Sequence, residues 1–408
     1  MAGVVSGFGV LLFRWCIDAS QTLFLPDAQM GNYEGLPIWL RLLLPLTSAL
    51  LLGLIFAKIP VRYTQIGVIH VLDLIHRPDS GRLPWRNALV QFIGGIIAIV
   101  GGHSVDREGP GVHIGAASAN FIGHFLPTTA EENHTLMACG AAASIAAAFN
   151  TPLAGVVFVF EVLQVRYDVI RFFPIIMAAV AGAVISREIY GPYPAFAIPP
   201  IDLGSLQELP YVAIMGLSVG LLAMLFVSIS EAILRVTKTW PLTRCYVLAG
   251  LCTGLLACWT PQIMGISYDT LEEMLHGQVA TGVVVALIFT KLVATAVSIG
   301  LRIPGGLIGP MLVIGGAVGS AAGILASYLY PSYAGSIGFY AVIGMVAMFG
   351  AALRAPLAAL IALLELTANS NIILPGMLAV VSANLANLLL LGKKPVYSTL
   401  LQVLKEDG

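Results

Sequence analysis

Apolar runs follow one another along almost the whole chain, and several are too short to cross a bilayer. Residues 36–59 and 170–189 can span, since a hydrocarbon core needs about 20 helical residues. Residues 4–13, 112–126, 136–148 and 152–163 fall short and are broken by glycine, proline or charge. Such a string predicts broken or re-entrant helices, because non-helical backbone at membrane depth must be buried in protein or line a cavity. Composition agrees. Only 10% of the 408 residues are charged and 58% are hydrophobic, where soluble domains carry about 25% charged residues. The expectation is an all-α polytopic membrane protein, targeted by its own spans to a cell membrane, the inner one in a bacterium. With a net charge of −1 and no basic cluster, nucleic acid is not an expected partner. The five cysteines lie mostly in apolar runs and give neither a disulfide framework nor metal spacing. No cofactor is called for.

The second constraint is an internal repeat. Gly109-Pro110-x-x-x-Ile114-Gly115 recurs 200 residues later as Gly309-Pro310-x-x-x-Ile314-Gly315. Pro152-Leu153-Ala154, with Glu161 following, recurs at an offset of 204 as Pro356-Leu357-Ala358 with Glu365. Gly140, Ala143, Ala147 and Ala148 find Gly344, Ala347, Ala351 and Ala352 at the same 204. The chain therefore divides into two membrane halves, 1–200 and 201–408, joined through a segment holding Pro192, Pro194, Pro199 and Pro200. No separate soluble domain is expected. Duplicated transport folds place their site at midplane, where broken helices of both halves meet.

The charged stretch Asp106-Arg107-Glu108 stands directly before the first copy of the motif. An ionisable group inside the membrane is costly and marks a transport path by default. In the second copy Ile308 takes the place of Glu108. Helix starts near Pro110 and Pro310 would aim free N–H groups and positive dipole ends at one point, holding an anion without a full positive charge. Glu108 is the expected gate. The basic residues His76, Arg77, Arg82 and Arg86 crowd one short loop and predict a cytoplasmic face there.

At these residues the chain resembles the CLC family of chloride channels and chloride/proton exchangers, in its short bacterial form without cytoplasmic nucleotide-binding domains. Arg107-Glu108-Gly109-Pro110, Gly305-Gly306-Leu307-Ile308-Gly309-Pro310 and Lys394-Pro395-Val396-Tyr397-Ser398 carry the resemblance. It implies an inverted repeat of about eighteen tilted helices, a homodimer with one pore per subunit, and a gate glutamate, here Glu108, that competes with the anion. It also implies an anion held by the amides of Leu307 and Ile308 and the Tyr397 hydroxyl. Gly109, Arg107 and Thr64 complete the candidate anion-binding set, Thr64 standing by spacing for the family's serine. The cargo is then chloride, with proton or nitrate as further candidates, in contact with membrane lipid.

Two departures matter. Asp106 replaces a glycine, so a carboxylate there would pair with Arg107 or weaken the anion potential. Val162 stands where proton-coupled members often carry an inner glutamate, leaving Glu161 as the titratable candidate for a proton path, against a structural role shared with Glu365. His103 and His113 flank the motif, as hydrogen-bonded interior residues or as proton shuttles beside the anion path. Pro110 is intact, unlike the usual fluoride-specific pattern. The function expected is glutamate-gated chloride transport, as an antiporter or weakly coupled shunt, with a passive channel as the alternative and a cation/proton transporter as a remote one. An enzyme would need a convergent nucleophile and base or a metal set, and none is present.

Overall fold

The computed structural model describes residues 1–78, 82–125, 127–196, 198–199, 203–331, 334–390 (backbone only at 390), 392 and 394–406. Lys393 and the expected boundary between the halves at 200 and 201 lie outside the described residues. Among those described there are seventeen α-helices, against about eighteen expected. The first eight are α1 (Ala2–Phe24), α2 (Ile38–Phe56), α3 (Gly67–Ile75), α4 (Trp85–Val100), α5 (Glu108–Ile122), α6 (Ala130–Phe149), α7 (Pro152–Glu161) and α8 (Val169–Tyr190). The next eight repeat their order: α9 (Leu209–Thr237), α10 (Leu242–Ala257), α11 (Tyr268–Leu275), α12 (Thr281–Gly300), α13 (Ile308–Leu329), α14 (Ile337–Leu353), α15 (Pro356–Thr367) and α16 (Ile373–Leu390). A final α17 (Val396–Lys405) has no counterpart.

Reciprocal contacts relate the two sets. Asp106 and Gly306, 200 residues apart, exchange both backbone hydrogen bonds at 3.1 Å. The Glu161 carboxylate accepts from the amides of Leu357 and Ala358 at the start of α15. The Glu365 carboxylate accepts from Leu153 and Ala154 at the start of α7. Each half caps the other with the same residue at the same place, as a two-fold axis between them requires. The motif glycines show why the repeat is glycine-rich. A Cβ on Gly115 would come within 2.7 Å of the Gly140 carbonyl oxygen, and one on Gly344 within 2.3 Å of the Gly315 carbonyl oxygen. The pairs α5–α6 and α13–α14 thus touch backbone to backbone, the small-residue packing that membrane helices use.

Among the described residues, seven helices are long and apolar enough to span a membrane. Five shorter apolar helices, α4, α7, α10, α14 and α15, accompany them, and α14 is buried along almost its whole length. Two sequence expectations change. The first apolar run continues as one 23-residue helix through Arg14 and Asp18. These lie one turn apart with Arg14 Nε 3.5 Å from Asp18 Oδ2, so the charges compensate within the helix. The apolar run at 136–148 belongs to a longer helix, α6, whose first turn holds Glu131 and Glu132. Thr129 and Glu132 make a capping box there, with the Glu132 carboxylate accepting from the Thr129 amide at 2.7 Å.

Candidate functional site

The site is built where α5 and α13 begin. Glu108 opens α5 and Ile308 opens α13, so the two copies of the motif start their helices at equivalent residues. Each helix has proline at its third position, which has no N–H to offer. From the fourth residue on the ladder is closed: Gly111 donates to the Arg107 carbonyl at 2.8 Å and Met311 to the Leu307 carbonyl at 3.0 Å. Only the first two amides of each helix, and the residue before them, are available to a ligand.

The Asp106 carboxylate fills the junction between these two starts. Its Oδ1 accepts from the Gly109 amide at 2.9 Å and its Oδ2 from the Gly309 amide at 2.5 Å. Asp106 is fully buried. Its main chain is held by the two hydrogen bonds to Gly306, and Gly306 must be glycine: a Cβ there would lie 1.9 Å from Asp106 Oδ1. The expectation that Asp106 pairs with Arg107 is corrected. Arg107 Nη1 instead bonds Asp18 Oδ1 at 3.2 Å and its Nε lies 3.6 Å from Glu108 Oε1. Two aligned helix starts offer the carboxylate better company than an arginine already engaged.

Glu108 is buried, with its carboxylate turned to Arg107 beside Val10, Phe13, Arg14, Gly111 and Ser144. The ion chain Glu108–Arg107–Asp18–Arg14 leads from it toward a partly exposed arginine on α1. On the other side of the junction opens a cavity of about 960 Å³. Gly109, Leu307, Tyr397, Thr64, His70 and Arg77 are among its walls. The Tyr397 hydroxyl, at the start of α17, is buried and has no hydrogen-bond partner among the described residues. The structure therefore brings Gly109, Leu307, Tyr397 and Thr64 to one cavity, with Ile308 adjoining Leu307 at the helix start. Arg107 lies on the far side with Glu108. The Thr64 hydroxyl is already used, donating to the Val61 carbonyl at 2.8 Å. Glu161 holds its helix cap 196 and 197 residues away in sequence, and Val162 is buried behind it.

Several participants escaped the sequence reading. His70 on α3 lines the cavity, and its Nδ1 lies 3.0 Å from Nε2 of His113 on α5, the rings stacked at 29°. Tyr268 opens α11 with its ring 5.7 Å from the Arg107 guanidinium. Lys291, fully buried in α12, donates to the Ile263 and Gly265 carbonyls at 2.9 Å and to Ser267 Oγ at 2.7 Å. It fixes the turn that presents Tyr268. A lone lysine in an apolar run is the same signal that exposed Glu108, and would have found it.

The model of the voltage gated chloride channel family matches residues 48–388. The chain belongs to this family. Over 418 aligned residues it is 30% identical to the H(+)/Cl(−) exchange transporter ClcA of Vibrio cholerae, covering 98% of this chain and 87% of that one. It is also 30% identical to the putative chloride channel protein ClcB-like of Ralstonia nicotianae, over 94% of this chain and 91% of the relative. Among solved structures, a slow cyanobacterial Cl−/H+ antiporter superposes with a TM-score of 0.86 at 23% identity, covering 100% of this chain and 97% of the other. A CLC-type fluoride/proton antiporter superposes at 0.76 with 22% identity, over 98% and 94%. The bundle is thus a chloride-channel-family fold, and the chain is a membrane transport protein.

Proposed function

We propose that this chain carries chloride across its membrane in exchange for protons. The observation that carries the reading is the convergence of two helix starts on one buried point, beside a cavity of about 960 Å³ lined by Tyr397, whose hydroxyl has no hydrogen-bond partner among the described residues. The amides of Leu307 and Ile308 and the Tyr397 hydroxyl hold the anion with dipoles instead of a full charge, so it can leave again. Arg77, Arg302 and Lys405 at the cavity walls draw anions in and mark that face as cytoplasmic. The relatives at 30% identity include one named as an H(+)/Cl(−) exchanger.

Glu108 is the proton-linked gate. Ionised, it is held by Arg107 across the outer path; protonated, it loses that attraction and swings aside. On the cavity side the protons enter by His70 and His113, the titratable pair that joins the cavity wall to α5. This replaces the glutamate that Val162 lacks. Passive chloride conduction is the second reading, favoured by Val162 and by the engagement of Glu161 in a helix cap.

Liposome flux with chloride and proton recorded together tests both. A chloride gradient is expected to drive uphill proton movement, and Glu108→Gln to abolish it together with the pH dependence of chloride flux. Chloride flux without proton movement selects the passive reading. Absence of any anion flux rejects the proposal.

A further inference from the structure

The role expected of one carboxylate is distributed over two residues. A gate that competes with the anion must place its oxygens on the helix-start amides. In this chain those oxygens belong to Asp106. Three features make the arrangement permanent. The Asp106 backbone is locked to Gly306 on both sides of the residue by hydrogen bonds of 3.1 Å. Its carboxylate reaches both helices at once, taking the second amide of each. The facing residue is a glycine whose missing side chain leaves the space the carboxylate fills. The Glu108 carboxylate, by contrast, lies beside Tyr268 and Arg107, its Oε1 3.6 Å from Arg107 Nε. A second carboxylate entering the junction would meet a fixed like charge, which disfavours two ionised groups in one place.

We infer that Asp106 is a resident anion: its carboxylate occupies the position between the first turns of α5 and α13 that would otherwise take an exchangeable ion. The pore then has one exchangeable anion position, on the cavity side, between the amides of Leu307 and Ile308 and the Tyr397 hydroxyl. Asp106 sets how many anions the pore holds, and Glu108 keeps only the proton-linked movement. The inference rests on the anion-transport reading, and its consequence is specific. A fixed negative charge next to the remaining position raises the off-rate of the bound anion and lowers its affinity. Removing that charge opens a second position.

Bromide is the probe, located by anomalous diffraction and counted by calorimetric titration of the purified full chain. The unmodified protein is expected to bind one bromide per chain, beside Tyr397, with none between the Gly109 and Gly309 amides. Asp106→Gly is expected to bind two, the second at that junction, and to bind the first at least about tenfold more tightly, the size expected for a charge-assisted contact of 1.4 kcal/mol or more. Asp106→Asn keeps the shape and serves if the glycine variant is unstable. Its neutral amide can accept from only one of the two helices, so junction bromide is again expected. Bromide at the junction of the unmodified protein, with Asp106 turned away, overturns the inference. So does a single bromide in both variants. Flux in liposomes separates the two readings: chloride transport with junction bromide in the unmodified protein sinks the resident anion alone, whereas a chain without any anion flux sinks the transport reading beneath it.

Discussion

Asp106 and His70 show what single residues conceal from a sequence. Asp106 was visible as a charge in the wrong place, but its chemistry depends on a backbone bridge to Gly306, 200 residues away. No local pattern announces that its two oxygens will meet two helices. His70 lies in a short segment of mixed polarity and belongs to no motif. Only the fold brings its ring to His113 on one side and to the cavity on the other. Glu108, Leu307 and Tyr397 can be put forward from sequence because each sits in a contiguous motif. The His70 placement gives a prediction at this scale. His70→Gln should lower proton flux by about a hundredfold, the low end of what a positioned proton-transfer group contributes, while chloride flux changes little. Paired flux recordings at two proton gradients check this. Equal coupling in variant and parent would remove the histidine pair from the route.

Between elements, the glutamates at the ends of α7 and α15 do the joining. The repeat made Glu161 and Glu365 a matched pair, and their matching spoke for a shared structural task over a proton path. What sequence lacked was the partner: each carboxylate leaves its own helix and caps the other half. The short helices α3, α11 and α17 also went unseen, since eight to ten residues of mixed polarity give no membrane-length signal. Helix α6 starts six residues ahead of its apolar run at 136, because its first turns are polar and held by a capping box. Removing one cap leaves two helix-start amides unsatisfied, at a cost of about 1 kcal/mol, typical of lost N-caps. Glu161→Ala and Glu365→Ala should each lower the thermal midpoint in detergent by a few degrees, and by similar amounts because their geometry is the same. Thermal unfolding by intrinsic fluorescence measures this. A large shift for one and none for the other would contradict the two-fold reading.

Over the whole molecule, apolar content and the repeat were enough to foresee a duplicated membrane bundle, because both are written along the entire chain. Its pH response was not. Glu34, in the segment between α1 and α2, is pushed up to about 7 by burial, with the negative charge of Asp269 adding to it. An acid whose pKa is higher folded than unfolded binds its proton more tightly in the native state. Its stabilising contribution is therefore full below the ordinary glutamate value and is lost as pH rises through about 7. The unfolding midpoint should fall between about pH 5 and pH 7.5, and Glu34→Gln should flatten that fall. An unchanged slope in the variant would assign the pH response to other groups.

The bridge between Asp106 and Gly306 also bears on how such a chain can come about. It lies where the two halves meet their own counterparts, so residue 106 of one half faces residue 306 of the other. If both halves carried aspartate there, each side chain would enter the space of the other: even a single added carbon on Gly306 falls 1.9 Å from an Asp106 oxygen. Two identical half-proteins pairing as a dimer could not hold this carboxylate. It requires halves that differ at this position, one giving the charge and the other giving way to it.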